Sequence, residues 1–292
     1  MCFIDLHVHS SVSDGTFSPA EVTALALETG LRAYALTDHD SIDGIGEAMQ
    51  AAEGTGLKVI PGTELSSIYE GTEIHILGLY LDPDAPELKQ ALQKLRSDRD
   101  RRNLEMLSRL QKDGFQIQLS DLNGGREDLV ITRAHFSRAL LEKGYVKTMD
   151  QAFRSYLDHG KKYCPPKETI SPPEAIRLIR SAGGFPALAH PVQYKLGWKK
   201  TEAMIVDLTE MGLMGVEVYY SSHNISDSAK LREISRRCDL LPTGGSDFHH
   251  ETHQGMCATL SKERITDSFK LAEVLKSKDY ILDIWGNKIL PY

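Results

Sequence analysis

Residues 3–10 read FIDLHVHS, a short apolar run that ends in two histidines separated by one residue. Downstream, SPAE at residues 18–21 places a serine N-cap, a proline at the first helical position and a glutamate at N3, which together predict a helix start. An apolar stripe follows, and Gly30 is expected to end the helix. A strand followed by a capped helix predicts a βα unit, the building block of parallel sheets.

The same alternation recurs along most of the chain. Seven short runs are candidate strands, at residues 3–6, 33–37, 57–60, 74–80, 185–189, 216–219 and 240–242. A second capping box, SPPE at residues 171–174, predicts another helix start. Polar residues follow nearly every predicted strand, as at the C-terminal face of a barrel. This favours an α/β fold, a distorted (β/α)7 TIM-like barrel, over an open doubly wound sheet.

The strand pattern is interrupted by a helical segment. A long, charged helical stretch covers residues 84–112, and helical patterns without a convincing strand continue to about residue 160. We therefore expect a helical subdomain at residues 101–164, inserted so that it covers the active site. Residues 1–100 and 165–292 would form the barrel.

Composition limits the class of protein. The chain has 292 residues, 41% of them hydrophobic, which is enough for a sizeable core. Neither a membrane-spanning apolar run nor a signal-peptide pattern is present, so we expect a cytoplasmic protein with no membrane association and no obligate protein partner. The net charge of −7 argues against broad adhesion to nucleic acid. Four well-separated cysteines, without a CxxC pair, predict neither a disulfide framework nor a thiolate zinc site.

Side chains that commonly bind metals lie at or near the ends of the predicted strands. An isolated HxH pair is explained equally well by two solvent-facing histidines, and a lone His75 by a core residue, but these residues do not occur alone. Histidine and carboxylate ligands suit manganese, iron or zinc. The residues expected to converge as metal ligands are His7, His9, Asp14, His39, Glu64, His75, His190, Asp247 and His249.

The motifs DLHVHS, SDGT, LTDHDS, GTELS, EIHILGL, LAHP and GSDFH resemble the successive motifs of the PHP (polymerase and histidinol phosphatase) family of phosphoesterases. The resemblance spans the whole barrel. It implies two or three divalent metal ions, with manganese expected first and iron or zinc as alternatives. One metal would be held by His7, His9, Glu64 and Asp247, a second by Glu64, His75 and His190, and a third by Asp14, His39 and His249.

Within that family, the chain is similar to the bacterial nucleoside 3′,5′-bisphosphate phosphatases, whose relatives also trim the 5′ ends of short RNAs. Three segments carry this similarity, TRAHF at 132–136, GKKY at 160–163 and SSH at 221–223. The similarity implies a small phosphorylated nucleotide, and also short RNA, as substrate. The implied substrate contacts are Arg133, His135, Lys162, Ser222 and His223.

The functional groups of several side chains predict their individual roles in the site. A guanidinium fork matches phosphate, so Arg133 would hold a phosphate, although a plain helix-surface arginine is the commoner case. His223 would donate a proton to the leaving oxygen or bind a distal phosphate, and Asp247 would act in catalysis as well as binding metal. Asp5 and Asp38 are candidates for orienting the imidazoles.

Two residues in or next to these motifs are expected to have structural roles. Asp40 is interpreted as a turn residue, and Tyr220 as a surface or packing residue.

Three other functions remain open. Amidohydrolases also begin with an HxH motif, but they usually carry a lysine at the end of the fourth strand, where this chain has none. A histidinol-phosphate phosphatase would use the same chemistry on an amino-alcohol phosphate. A metal-bound module without catalysis is the third alternative, which the intact set of ligand-type residues disfavours.

Overall fold

The computed structural model describes residues 3–125, 130–158, 160–165 and 170–249. Seven strands form one sheet in sequence order, which curves into a nearly closed barrel and confirms the predicted fold class. The strands are β1 (Phe3–Val8), β2 (Leu31–Leu36), β3 (Lys58–Tyr69), β4 (Thr72–Leu79), β5 (Phe185–Leu188), β6 (Gly215–Tyr220) and β7 (Leu241–Gly245).

Helices accompany the strands, and five of them lie between β4 and β5 in the sequence, although these two strands pair directly. They are α1 (Pro19–Glu28), α2 (Ile45–Ala52), α3 (Pro86–Lys112), α4 (Leu119–Asn123), α5 (Arg133–Glu142), α6 (Met149–Ala152), α7 (Pro172–Ser181), α8 (Trp198–Glu210) and α9 (Ile225–Arg237). A π-helical turn at Phe153–Leu157 follows α6, and a 3₁₀ turn at Pro191–Tyr194 follows β5. In the described part of the chain, no helix combines the length and apolar character needed to cross a membrane.

The sheet is not entirely parallel, which corrects the expectation of βα units throughout. Strand β4 runs antiparallel to both β3 and β5, whereas the other pairs are parallel. The reason is a two-residue turn at Glu70-Gly71, where both residues have positive φ (46° and 80°), the conformation of a tight hairpin. The N-terminal half of β4 therefore lies at the same end of the barrel as the C-terminal ends of the parallel strands.

Strands β1 and β7 meet through a few backbone contacts that bring the two ends of the sheet together. The amide of His9 donates to Phe248 O at 2.9 Å, and the amide of Asp247 donates to His7 O at 2.9 Å. The β1–β2 pairing also shifts register between Asp5 and Val8, an irregularity common beside active sites. These contacts place the first and last ligand-type motifs side by side.

The two predicted helix starts differ in detail. The Ser18 capping box is formed in full, and Gly30, with φ of 79°, follows α1 as expected. Helix α7 also starts where SPPE predicts, but the Ser171 side chain makes no capping hydrogen bond, so that capping box is not formed. Proline at the first helical position has no amide hydrogen to satisfy, which reduces the need for a cap.

Helix α3 connects two hydrophobic clusters. Its first half packs Leu88, Leu92 and Leu95 into a cluster with residues of the barrel strands and of the helices around them. Its second half packs Met106 and Leu110, with other apolar residues, into a separate cluster formed by the helical segment. The helix passes without a break through residue 100, where the sequence places a domain boundary. The domain division stays a prediction, and residues 250–292 of its barrel part lie outside the described residues.

Candidate metal centre

Glu64 lies at the centre of the candidate site. Its side chain is fully buried near the middle of β3, and His75 lies diagonally across the β3–β4 pair on the same face. The two carboxylate oxygens of Glu64 lie 2.9–3.4 Å from ring nitrogens of five histidines, which are His7, His9, His39, His75 and His190. One carboxylate could therefore bridge two metal ions.

Asp247 joins the site from the loop after β7. Its Oδ1 lies 3.2 Å from Nε2 of His7 and 3.2 Å from Nε2 of His9, so the imidazoles of the HxH pair converge as expected. Asp247 and His190 both have positive φ, at 56° and 26°, which non-glycine residues rarely adopt. Strained backbone of this kind is concentrated at functional sites.

Asp14 forms the other side of the cluster. Its Oδ1 lies 3.2 Å from His249 Nε2, and its Oδ2 lies 3.7 Å from His39 Nε2. Thr132, at the start of α5, donates its hydroxyl to Oδ2 at 3.0 Å. The helical segment thus contacts a carboxylate of the cluster directly.

The ligand atoms form three overlapping groups, each compact enough for one ion. They are His7, His9, Glu64 and Asp247; His9, Asp14, His39 and His249; and His39, Glu64 and His75. The first group is the set of residues expected for the first metal. The second group contains the three residues expected for the third metal together with His9. The third contains His39 in place of His190, although His190 Nε2 still lies 3.1 Å from Glu64 Oε1.

Many polar atoms of the cluster are buried without a hydrogen-bond partner. Burying such atoms costs free energy unless a partner or an ion compensates. They are His7 Nε2, both ring nitrogens of His9, Asp14 Oδ1, His39 Nδ1, Glu64 Oε2 and His190 Nδ1. Buried imidazole nitrogens and carboxylate oxygens in one cluster are the ligand types that suit divalent metal ions such as manganese, iron or zinc.

The electrostatics of the cluster pair ionised carboxylates with protonated imidazoles. Although burial opposes it, the neighbouring carboxylates raise the pKa of His7 well above its usual value and that of His249 to about 10. Burial opposes ionisation of the three carboxyl groups, but the surrounding imidazoles hold the pKa values of Asp14, Glu64 and Asp247 well below the usual range. Burial, together with His249 and His39, lowers the pKa of His9 to about 3. At neutral pH His9 is therefore neutral and the carboxyl groups are ionised, as metal ligands must be, whereas His7 and His249 would each release a proton on binding a metal ion.

Glu217 belongs to the site although the sequence analysis does not single it out. It is fully buried in β6, and its Oε1 lies 3.2 Å from Nδ1 of His7. Its Oε2 accepts the backbone N–H of His190 at 2.8 Å. Carboxylates in this position orient a ligating imidazole and select its tautomer. The available signal was a glutamate inside the apolar run GVEVYY.

Asp5 and Asp38 were the residues expected to orient imidazoles, and this expectation is wrong. Asp5 Oδ1 accepts the backbone amides of His7 at 3.2 Å and Ser246 at 2.9 Å. Asp38 accepts three hydrogen bonds from Ser10 and Ser13. Both carboxylates position the loops that carry ligands, because they bind backbone and hydroxyl groups.

Two further interpretations need correction. Tyr220 is not a plain packing residue, because its hydroxyl donates to Asp247 Oδ2 at 2.8 Å. Asp40 has the positive φ of a turn residue, 48°, but it also forms a buried ion pair with Arg99 and accepts the amide of Ser66. Neither role could be predicted from the sequence, because each contact joins two segments that are far apart in the chain.

A cavity of about 180 Å³ lies next to the cluster. Its walls include Asp14, His39 and His75 from the barrel and Arg133 from α5, with Arg99 and Arg102 of α3 among the other lining residues. Arg133 forms an ion pair with Glu73, and its guanidinium lies 6.0 Å from the ring centre of Phe153. The structure therefore brings Arg133 to the site as expected, with a carboxylate partner already in place.

The other expected substrate contacts lie in different surroundings. His135 is buried, and its Nδ1 accepts the backbone N–H of Thr132 at 3.0 Å, so it caps α5. Lys162 is largely exposed and pairs with Asp113, and Ser222 is hydrogen-bonded to Gln193. None of His135, Lys162 and Ser222 lines the cavity beside the cluster.

His223 lies close to the cluster but does not join it. Its ring is buried, its Nδ1 lies 3.1 Å from Val218 O, and its Nε2 is buried without a hydrogen-bond partner. Burial lowers the pKa of His223 below its usual value. The ring centre of Tyr220 lies 5.1 Å from that of His223 and 5.6 Å from that of His190.

Comparison with known proteins agrees with this geometry. Residues 5–164 match the PHP domain family. The chain is 37% identical to a 5′-3′ exoribonuclease of Haemophilus influenzae, covering 84% of this chain and 89% of the relative. It is 36% identical to a 3′,5′-nucleoside bisphosphate phosphatase of Chromobacterium violaceum, covering 85% and 88%.

A solved structure extends the comparison to the fold. The structure of a proposed metal-dependent phosphoesterase from Bifidobacterium adolescentis superimposes with a TM-score of 0.78 at 30% identity, covering 92% of this chain and 96% of that one. Its similarity covers the barrel and the helical segment together. This chain belongs to the PHP-domain family and is a metal-dependent hydrolase of phosphoester bonds.

Proposed function

We propose that this enzyme hydrolyses a phosphate from nucleoside 3′,5′-bisphosphates, using two or three divalent ions, manganese first, held by the nine-residue cluster. The observation that carries the proposal is the position of Arg133, whose guanidinium lines the same cavity as Asp14, His39 and His75. A cation beside a multinuclear metal site suits a substrate with more negative charge than one phosphate. The similarity to a relative named for this activity supports the choice.

The metal ligands would be the residues of the three overlapping groups, with His190 as a further ligand beside Glu64. When bound, divalent ions activate water near neutral pH and neutralise phosphate oxygens. Of the chain's own residues, Glu217 would hold His7 in the ligating tautomer, and Tyr220 would orient Asp247. Asp247 would contribute to catalysis as a metal ligand next to His7 and His9, held in position by Tyr220.

Arg133 would bind substrate. Its ion pair with Glu73 keeps the guanidinium fixed, so little conformational entropy is lost when phosphate arrives. We expect Arg133→Ala to raise KM by about tenfold or more while changing kcat less, because the lost contact is made equally in the ground state and the transition state.

His223 would serve the leaving group. Its Nε2 has no partner in the described part of the chain, and because Nδ1 donates to the carbonyl oxygen of Val218, Nε2 carries a proton only when the ring is an imidazolium. Burial lowers the pKa of His223, so its resting form is the neutral imidazole, whose Nε2 accepts a hydrogen bond. His223 would give a proton to the leaving oxygen, or a hydrogen bond to a distal phosphate, after the negative charge of the substrate favours the imidazolium. His135, Lys162 and Ser222 would act indirectly, by positioning α5 and neighbouring loops.

The test is phosphate release by protein stripped of metal and reconstituted with manganese. Adenosine 3′,5′-bisphosphate is compared with AMP, histidinol phosphate and a short 5′-phosphorylated RNA. Clear preference for the bisphosphate supports the proposal. Preference for histidinol phosphate or RNA would leave the metal site in place and overturn the substrate assignment. Parallel reconstitution with iron and zinc tests the choice of metal.

A further inference from the structure

Helix α3 brings two arginines into the cavity beside the metal cluster, and no motif singled them out. Arg99 and Arg102 are three residues apart, so they share one face of the helix. Each side chain is 5% exposed, and both line the cavity with Asp14, His39 and His75. Long charged side chains are almost never this buried unless they are paired.

The two arginines differ in their partners. Arg99 forms an ion pair with Asp40. Arg102 donates to the amide oxygen of its neighbour Asn103 at 2.8 Å and has no carboxylate partner among residues 3–125, 130–158, 160–165 and 170–249. Glu73, whose charge also acts on Arg102, pairs directly with Arg133. The Nε atoms of Arg99 and Arg102 are both buried without a hydrogen-bond partner.

Among the described residues, Arg102 is a buried guanidinium that no carboxylate pairs directly. Three guanidinium groups, those of Arg99, Arg102 and Arg133, meet at one cavity, and within the described part of the chain only two of them, Arg99 and Arg133, have a carboxylate partner. Burial and the charge of Arg133 lower the pKa of Arg102, against the opposite effect of Glu73. An anion that accepts hydrogen bonds would remove the cost of burying the unpaired guanidinium.

The size of the cavity limits which anion can bind. A volume of about 180 Å³ is well below the roughly 300–1,000 Å³ of pockets that enclose whole small-molecule ligands. It suits a phosphoryl group better than a nucleoside. Since the metal ions would neutralise the phosphate that is cleaved, the arginine charge matches a second phosphate on the same substrate.

We propose that Arg102, with Arg99 beside it, binds the phosphate of the substrate that is not cleaved and so determines the preference for doubly phosphorylated nucleotides. The proposal rests on the proposed function and adds residues to it. Arg99 would be held in place by Asp40, and Arg102 would exchange its contact with Asn103 for phosphate oxygens. The helical segment would thus select the substrate, while the barrel would carry out hydrolysis.

The test compares Arg102→Gln with wild type on adenosine 3′,5′-bisphosphate and on AMP. We expect kcat/KM for the bisphosphate to fall by about tenfold to one-hundredfold, and kcat/KM for AMP to change by less than about threefold. Arg101→Gln is the matched control, because Arg101 is on the same turn of α3 with a side chain that is 66% exposed. That variant should keep the wild-type ratio of the two substrates.

Two further measurements separate recognition from folding. Arg102→Lys keeps the charge but loses the fork, so we expect an intermediate loss of preference. Titration of metal-free protein with adenosine 3′,5′-bisphosphate should show weaker binding in Arg102→Gln at an unchanged Tm. Equal losses on both substrates, or an unchanged ratio, would overturn the role of Arg102 even when wild type prefers the bisphosphate. A wild type that lacks the preference would instead overturn the proposed function.

Discussion

Glu217 Oε1 lies 3.2 Å from His7 Nδ1, and both side chains are completely buried. The contact joins β6 to β1 and leaves His7 Nε2 directed at Glu64 and Asp247. A glutamate in this position sets the tautomer of the imidazole and raises its basicity as a ligand.

Replacing Glu217 should therefore weaken metal binding. We expect Glu217→Gln to lower manganese affinity by about 10- to 100-fold, because glutamine cannot supply both acceptor oxygens. Isothermal titration of metal-free protein with manganese measures the change. Glu210→Gln makes the same chemical change at an exposed position at the end of α8 and should have wild-type affinity. Equal affinities of Glu217→Gln and wild type would contradict the orienting role.

Gly245 at the end of β7 permits the close approach of β1. A Cβ at this position would lie 2.3 Å from Cβ of His7 and 2.7 Å from its backbone nitrogen, and the strands would have to move apart. We expect Gly245→Ala to lower the free energy of unfolding by about 1–3 kcal/mol or more and to reduce metal content. Urea unfolding and elemental analysis measure the two effects.

The control for this substitution is Gly46→Ala in α2, where an added Cβ meets no heavy atom within 4 Å. Alanine is the better helix former, so this variant should be as stable as wild type or more stable by up to about 1 kcal/mol. A Gly245→Ala protein with normal metal content and stability would show that β1 and β7 can separate at no cost.

The group of His9, Asp14, His39 and His249 predicts a functional ion apart from the one at Asp247. We expect His39→Ala and Asp14→Ala each to lower kcat by at least about 100-fold, since a lost metal ligand removes several kcal/mol of transition-state stabilisation. Circular dichroism should show a largely unchanged fold. If both variants turn over substrate at the wild-type rate, the third metal has no role.

The acid sensitivity of α5 can be predicted from His135. Burial lowers the pKa of His135 from 6.5 to about 4, and in the fold its Nδ1 accepts the backbone N–H of Thr132. Between these values the unfolded chain binds more protons, so stability rises with pH and is lost as the pH falls from 6.5 towards 4. We expect this group to remove about 2 kcal/mol of stability between pH 7 and pH 5.

Substitution of His135 by glutamine isolates this effect. Glutamine at N3 can still form a capping box but does not titrate in this range. Urea unfolding of both proteins in excess chelator, at pH 7 and at pH 5, should show a smaller loss of stability in His135→Gln. If the two proteins lose the same free energy of unfolding on acidification, His135 does not govern the acid response of α5.

Local sequence signals predicted the elements well. The SPAE motif marked the start of α1, and alternating apolar runs located all seven strands to within a few residues, except that β3 extends to Tyr69. Those signals are local because capping and periodicity depend on neighbouring residues. The antiparallel direction of β4 was not predicted, because the sequences of β3 and β4 do not themselves indicate the relative direction that the Glu70-Gly71 turn imposes.

The sequence by itself determined the barrel class and the nine ligand-type side chains, since each motif combines a strand end with residues whose chemistry is recognisable without a structure. Only the tertiary structure decided that Glu217 supports His7, that Tyr220 contacts Asp247, and that Arg102 faces the cavity. Each of these facts depends on segments far apart in the chain, which meet only when the strands curve into a barrel and α3 packs across it. Burial then gives an ordinary glutamate, tyrosine or arginine its role, because an unpaired polar group is costly only where water cannot reach it.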